Sequence, residues 1–559
     1  MDFRTYITAV EKQLSQMTEA QKTDWIYAQA RIIEEGRREE FLELLSGQKK
    51  TYTELTPDEI FAWCQQIDEG KIYFETEEYE CYEEEDWEPD WRIEYHDIFG
   101  IIPYLVKAIN TCYQLLMQKE YDTTFQLLDR IWRLGFHTDR EDDDWFCYEE
   151  DLTIERLAEE GLIVIDFTKM SLSLLYACYQ IHTGQDRIEK LYGYLMWKQC
   201  STVVLTDVFA YGPEKIEDET GFMKKWRNFL MDTPGDRASE LLVDACIYLG
   251  GDEQLLKTAE ENVEIHPYLY QACCERKLQC QNYAACVAIA EGAVKQIDDN
   301  KVIRADISDI AIQSAKKAGD EKQIGYFYQV AFYSNPNSWH LLRLYKLGDH
   351  IVIEEALKRV RDLRRISFSG STDSVEKKET SIYDDDQKTL YRFLLGDYRD
   401  ILKKCQQNNT YLGWSQDIKG TIIQLLLLYL KKDEEKKTCA ERDLIEQIKR
   451  RIQFKSIEDE SFDEYLTIWR KSVVMAEAEK EEYVQWLRKE VDKRTESVVG
   501  GGYRKSYYKA AELIVVLGAI LEERGEINGM QNLIDHYKKQ HSRKRAFRSE
   551  IDELAERQV

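Results

Sequence analysis

Proline is nearly missing from this chain, with seven in 559 residues where ~5% is usual. Proline removes a backbone donor and clashes with the preceding helical turn. A sequence this poor in it is free to be helical almost throughout, and an all-α fold is predicted. Hydrophobic residues make up 43% and charged residues 32%, enough to bury a core and too apolar for global disorder. Long apolar stretches are missing too. The longest, Ile422–Leu430, is interrupted by Gln424 and falls short of the ~20 residues that span a bilayer. The first residues carry Asp2, Arg4, Glu11 and Lys12 with no apolar core, so they do not read as a signal peptide. A cytoplasmic protein with no membrane partner is the expectation.

Catalytic signatures are as scarce. Gly-x-x-x-x-Gly-Lys-Ser/Thr, Gly-x-Ser-x-Gly and His-Glu-x-x-His do not occur, which removes the P-loop, the nucleophile elbow and the zincin pair. The thirteen cysteines include no Cys-x-x-Cys, the spacing that lets two thiolates reach one zinc. Their number is odd, and Cys112, Cys178, Cys246 and Cys286 sit among apolar residues, which fits buried free thiols in a reducing compartment. The expectation is a non-enzymatic protein with no cofactor, no metal and no evident small-molecule substrate.

What the chain has in excess is acid, and it is concentrated. The net charge is −29, and Asp68–Asp97 alone holds fourteen acidic residues against Lys71 and Arg92. Asp139–Asp151 holds eight against Arg140. The first window is interleaved with Tyr73, Phe74, Tyr79, Tyr82, Trp87, Trp91 and Tyr95, too many rings for an ordinary disordered tail. It reads as an irregular or partly β segment, anchored by its rings with the carboxylates outward. Glu83, Glu84, Glu85, Asp86, Trp87 and Trp91, with Asp142, Asp143 and Asp144, are the candidate partner-binding residues. Such a surface favours a protein partner with a basic face and repels phosphates. Asp142–Asp144 also has the density of a carboxylate–metal site, but its window lacks the glycine of an EF-hand loop. The opposite charge gathers at Lys538, Lys539, Arg543, Lys544 and Arg545, on what reads as one C-terminal helix. These are candidate phosphate contacts, and they carry the alternative of a nucleic-acid-associated accessory protein.

Elsewhere the pattern is one of short helices. Trp25, Ala28, Ile32 and Ile33 form an apolar stripe, and Thr56-Pro57 with Glu59 reads as a capped helix start. Tyr104–Leu134 reads as a helix hairpin turning near Glu120–Asp122. The runs Leu162–Phe167 and Val203–Phe209 fit either strands or buried helix edges. From Ala238 onward, Gly-Asp recurs at 251–252, 319–320, 348–349 and 396–397. Glycine supplies the left-handed residue that closes one helix, and aspartate caps the next. Asp252 and Asp320 are 68 residues apart, twice the ~34-residue tetratricopeptide period. A degenerate TPR-like array of helical hairpins, an α-solenoid, is predicted behind an acidic N-terminal module. The expected divisions are residues 1–210 for the acidic module, 211–366 for a first array, 367–386 for a linker and 387–559 for a second array.

Three stretches carry a resemblance: IRADISDIAIQSAKKAGDEKQIGYFYQVAFYSNPNSWHLLRLYKLGD, LYRFLLGDYRDILKKCQ with LGWSQDIKG, and YRKSYYKAAELI with HYKKQHSRKRAF. Together, over roughly residues 240–550, they resemble the helical-repeat region that follows the finger in bacterial SWIM zinc-finger proteins. The finger itself needs Cys-x-Cys and Cys-x-His, and neither occurs here. The resemblance therefore implies the helical scaffold without its zinc. Taken together, the expectation is a protein–protein interaction scaffold or adaptor subunit of a bacterial multi-protein system.

Overall fold

The computed structural model describes residues 12–13, 17–32, 55–81, 90–139, 152–362, 385–408, 417–431, 437–452 and 460–556. Among them are twenty-five α-helices and one two-stranded sheet. None of these helices is long and apolar enough to cross a membrane. The chain divides into two compact units, Met1–Leu269 and Tyr270–Val559.

The first unit begins with α1 (Glu19–Ile32) and α2 (Pro57–Asp68). Thr56 caps α2 as the sequence requires. Its hydroxyl accepts from the Glu59 N–H at 3.3 Å, and the Glu59 carboxylate accepts from the Thr56 N–H at 2.7 Å. Trp25, expected on a packed stripe of α1, is instead 56% exposed. An antiparallel hairpin follows, β1 (Glu75–Cys81) with β2 (Asp90–His96). Next come α3 (Ile101–Met117) and α4 (Tyr121–Trp132), the helix hairpin read from the sequence, then α5 (Ile154–Glu159). In α6 (Phe167–Ile181) every residue from Met170 to Tyr179 is buried. A helix covered all round belongs at a centre, and α6 packs against α3, α4, α7 (Gly184–Leu195) and α8 (Leu205–Tyr211). The ambiguous Val203–Phe209 run is thus largely helix, whereas Leu162–Asp166 is irregular and leaves Val164 exposed. After α9 (Glu219–Met231) comes α10 (Asp236–Glu261). The Gly-Asp break expected here is present: two helical stretches meet at a kink where Gly250 and Gly251, the latter at φ 64°, leave helical geometry.

The division falls within α11 (Tyr268–Gln279), and the second unit continues with α12 (Tyr283–Gln296), α13 (Ile303–Ala318) and α14 (Glu321–Ser334). The last three pack in sequence. Gly319 closes α13 at φ 72°, and Asp320 accepts from the Gln323 N–H at 3.2 Å, which is the punctuation the motif predicts. Then come α15 (Ser338–Leu344), α16 (His350–Asp362), α17 (Asp385–Leu394) and α18 (Tyr398–Gln407). At the last Gly-Asp the glycine behaves as expected, with Gly396 at φ 87°, but Asp397 does not cap. Its carboxylate is taken by Arg361 at 2.9 Å and Arg392 at 2.7 Å. Charge-assisted bonds from two guanidiniums outcompete a neutral backbone donor.

The remaining helices are α19 (Ile418–Leu430), α20 (Cys439–Arg451), α21 (Phe462–Ser472), α22 (Glu477–Thr495), α23 (Tyr507–Glu523), α24 (Gly529–Gln540) and α25 (Arg545–Glu556). Here α23 packs against α19, α20, α22, α24 and α25, and its residues from Ala510 to Gly518 are all buried. The basic C-terminal segment, read as one helix, is two. The chain turns at His541–Lys544 so that α25 folds back on α20 and α23, which fully buries Phe547 and Ile551. A straight helix would leave those side chains in water. Among the described cysteines, nine are buried free thiols, Cys280 is exposed and Cys439 is partly exposed.

Inside the second unit a charged cluster joins three segments. Arg343 on α15 is 1% exposed and donates to Asp309 on α13 at 2.6 Å and to Glu460 at 3.1 and 3.2 Å. Trp339 donates to Glu460 at 3.1 Å and lies under the Arg343 guanidinium, 3.7 Å from ring centre to carbon. Lys316 also pairs with Glu460, and His340 contacts Asp309 at 3.2 Å. Burial opposes charge on both carboxylates. The His340 bond and the Arg343 charge override it at Asp309, and the Arg343 charge and Lys316 bond override it at Glu460, so both are held below the usual carboxylate range. Removing one member of a buried cluster leaves its partners unmatched. Arg343→Leu should therefore cost about 3–5 kcal/mol, read as a lowered urea midpoint. Because both folded-state pKa values are depressed, this stabilisation is present above the ordinary carboxylate range and is lost as pH falls through the folded values. The gap between wild type and Arg343→Leu should accordingly shrink in strong acid.

Candidate functional site

Three chain reversals of the second unit meet around one groove of about 560 Å³. They are Gly348–Asp349 before α16, Leu395–Gly396 between α17 and α18, and Ser472–Val474 after α21. Ile353, Leu357 and Tyr345 line it with the apolar parts of those turns. Tyr345 sits in the single 3₁₀ turn that follows α15.

The walls are fixed by buried hydrogen bonds. The Leu394 carbonyl, at the end of α17, accepts from the Tyr345 hydroxyl at 2.6 Å and from the Trp469 indole at 2.8 Å. One acceptor thus aligns the segment after α15, α17 and α21. Burial pushes the Tyr345 phenol up, so it remains a protonated donor. On α19, the Tyr429 hydroxyl donates to the Val473 carbonyl at 2.8 Å and accepts from the Met475 N–H at 3.1 Å, which sets the third corner. Tyr398 donates to Glu479 at 2.8 Å and closes the fourth side. Burial, then the Glu479 bond, raise its pKa.

The edge differs from the lining. Asp349 and Glu354 are both exposed there, with His350 bonded to Glu354 at 3.1 Å. No lysine or arginine is among the described residues that line the groove. Val474 is 79% exposed on the rim, and Ile351, in the first turn of α16, is 64% exposed. An exposed Val474 at the edge of a largely apolar depression offers a partner apolar contact. The Ser472 hydroxyl is spent on the Ile468 carbonyl at 2.9 Å, so the chemistry on offer is apolar contact with acidic flanks.

The residues singled out from the sequence fare unevenly. Glu83, Glu84, Glu85, Asp86, Trp87, Asp142, Asp143 and Asp144 lie outside the described residues. Trp91 falls in β2, in register with Glu80. The base of that hairpin is visible: the Thr76 N–H and hydroxyl both donate to Asp139, at 2.9 and 2.8 Å. This fastens the start of the second acidic window to the first. Glu77 stands directly opposite Glu94, a like-charge pairing that weakens a sheet and that a cation would relieve. Among the basic residues, Lys538 is paired with Asp552, Lys539, Arg543 and Arg545 are exposed, and Lys544 is partly buried. His541 within that run is buried against Phe547, with ring centres 5.6 Å apart, and its pKa is lowered by that burial. Among the described residues no group of three or more His, Cys, Asp or Glu is placed to hold a metal ion.

Two of the three groove corners carry the Gly-Asp signal. The third, Ser472-Val473-Val474, has no glycine, and its only sequence mark is a pair of β-branched residues where a helix stops. No family model matches the chain, and no curated protein is similar to it in sequence.

The shared acceptor at Leu394 gives a measurable coupling. Tyr345→Phe alone should cost about 1 kcal/mol, because Trp469 still serves the carbonyl. Adding Trp469→Phe leaves a buried carbonyl unpaired. The double variant should then lose more than the sum of the singles in a denaturant double-mutant cycle.

Proposed function

We propose that the protein is a non-enzymatic interaction scaffold. Its groove takes an apolar anchor from a partner polypeptide, and its acidic rim selects partners with lysine or arginine beside that anchor. The observation that carries this reading is Val474, exposed at the rim of a groove whose lining is largely apolar and whose charged rim residues, Asp349 and Glu354, are acidic. Apolar contact supplies affinity, and the acidic flank supplies preference and faster encounter. The opposed Glu77 and Glu94 of the hairpin, and the net charge of −29, favour the same class of partner. We read the consecutive α12–α13–α14 packing as part of a degenerate TPR-like array, whose helix ends are natural binding surfaces. On this reading the chain is a finger-less relative of the SWIM-associated repeat region and acts as an adaptor within a bacterial assembly.

A second reading rests on Lys539, Arg543, Lys544 and Arg545, which have no ion pair among the described residues and surround one turn. These residues would contact phosphates of a nucleic acid. A charge-reversed Lys539→Glu/Arg543→Glu variant tests it: salt-sensitive DNA or RNA retention by the wild type and its loss in the variant would favour this reading over the first.

For the scaffold, displayed random peptides selected on the full chain should converge on an aliphatic or aromatic residue next to Lys or Arg. The enriched peptides should bind at least tenfold more weakly to Val474→Asp, and more weakly in high salt. Selection without a consensus, or binding indifferent to Val474→Asp, would retire the groove.

A further inference from the structure

Away from the groove, a second cleft of about 460 Å³ lies between α20 and α23. We propose that it binds a small oxyanion, a carboxylate or a phosphate group, held by Arg451, Arg450 and Lys509 beside the buried Glu512 carboxyl.

Arg451 is where the case begins. It is partly buried, donates one hydrogen bond to the Thr421 hydroxyl at 2.8 Å, and has no ion pair among the described residues. Asp417 acts on it only through space. A second guanidinium, Arg494 of α22, is 4% exposed and close enough for the two charges to repel. Burial lowers the pKa of both, and the Arg451 charge adds to the effect on Arg494, which falls to about 10. Withdrawing a cation from water is unfavourable unless an anion meets it. Arg450 and Lys509 line the same cleft, and neither has an ion pair among the described residues. Three cations thus line one cleft with Asp443, Glu446 and Glu512, and none of the three cations has an ion pair among the described residues.

Glu512, at the same cleft, is 3% exposed. One of its oxygens accepts from the Gln447 amide at 2.8 Å, and Gln447 in turn accepts from Gln424 at 2.9 Å. That relay fixes the carboxyl without neutralising it. Its pKa stands at about 7, raised first by burial, with Asp443 and Glu550 adding to the shift and Gln447 and Lys509 opposing it. The charged and titratable groups around it are Asp443, Glu446, Arg450 and Arg451 from α20, Tyr508 and Lys509 from its own helix, and Glu550 from α25. Within the lining, three cations against Asp443 and Glu446 leave one positive charge when Glu512 is protonated and none when it is ionised. A neutral carboxyl donates a hydrogen bond to an oxyanion, whereas an ionised one repels it. A single oxyanion is therefore accepted in the protonated state, and the two acids of the lining disfavour a long polyanion.

The test is calorimetric titration of the full chain with sulfate and with acetate, both of constant charge between pH 6 and pH 8. Sulfate stands for phosphate esters and acetate for carboxylates. Saturable binding of at least one probe at pH 6 is expected, weaker by about tenfold at pH 8 as the protonated fraction of Glu512 falls. Preference for one probe assigns the source. Arg451→Gln should abolish the heat, and Glu512→Gln, which keeps the neutral donor, should bind while losing the pH dependence. An unchanged thermal midpoint without ligand shows that each variant is folded. No saturable heat with either probe at pH 6, equal binding by Arg451→Gln, or an unaltered pH profile in Glu512→Gln would each overturn the proposal.

Discussion

A guanidinium with no water around it must be matched, and the second unit is arranged about that requirement at Arg343. Two carboxylates from separate segments, Asp309 and Glu460, approach the same side chain. Trp339 covers the face of its guanidinium plane. The desolvation of one arginine thus sets the position of α13, of α15 and of the chain entering α21. A second desolvated pair, Lys419 with Glu490 at 2.8 Å, does the same for α19 and α22. Apolar burial supplies most of the driving force, but it is indifferent to small slides of one helix over another. Buried ions are not, because a displaced partner leaves an uncompensated charge.

The groove depends on that register. Its corners lie at helix ends, where a small slip would separate Tyr345 and Trp469 from their common acceptor at Leu394. The charged cluster and the groove are therefore successive layers of one construction: ions fix the helices, tyrosines fix the turns, and the turns expose Val474 beside the lining. The oxyanion cleft follows the opposite rule. Arg450, Arg451 and Lys509 have no ion pair among the described residues, and on our proposal a ligand meets the same electrostatic demand there.

What could be read from the sequence was local. Thr56 with Glu59, and Gly319 with Asp320, work within one turn of chain, so residue type and spacing are sufficient. The hairpin of α3 and α4 announces itself by its apolar period. Where the outcome depends on residues far along the chain, spacing misleads. Asp397 resembles the other caps, yet Arg361, thirty-six positions away, claims it. The basic run after Gln540 looks like a continuous helix until Phe547 and Ile551 find a place against α20 and α23. The candidate sites divide in the same way. Gly-Asp marked two corners of the groove, Val473–Val474 gave almost no signal, and neither Glu512 nor Arg451 stands out without the fold that surrounds them.

The bond between Asp397 and Arg361 has one more consequence. Arg361 lies in the last turn of α16, its carbonyl accepts from Lys388 of α17 at 2.8 Å, and Asp397 also holds Arg392. The two helices are thus fastened on both sides of the stretch that joins them. Because the entropy of closing a connection changes only with the logarithm of its length, it is these side-chain and carbonyl bonds, more than connectivity, that hold α16 and α17 in alignment.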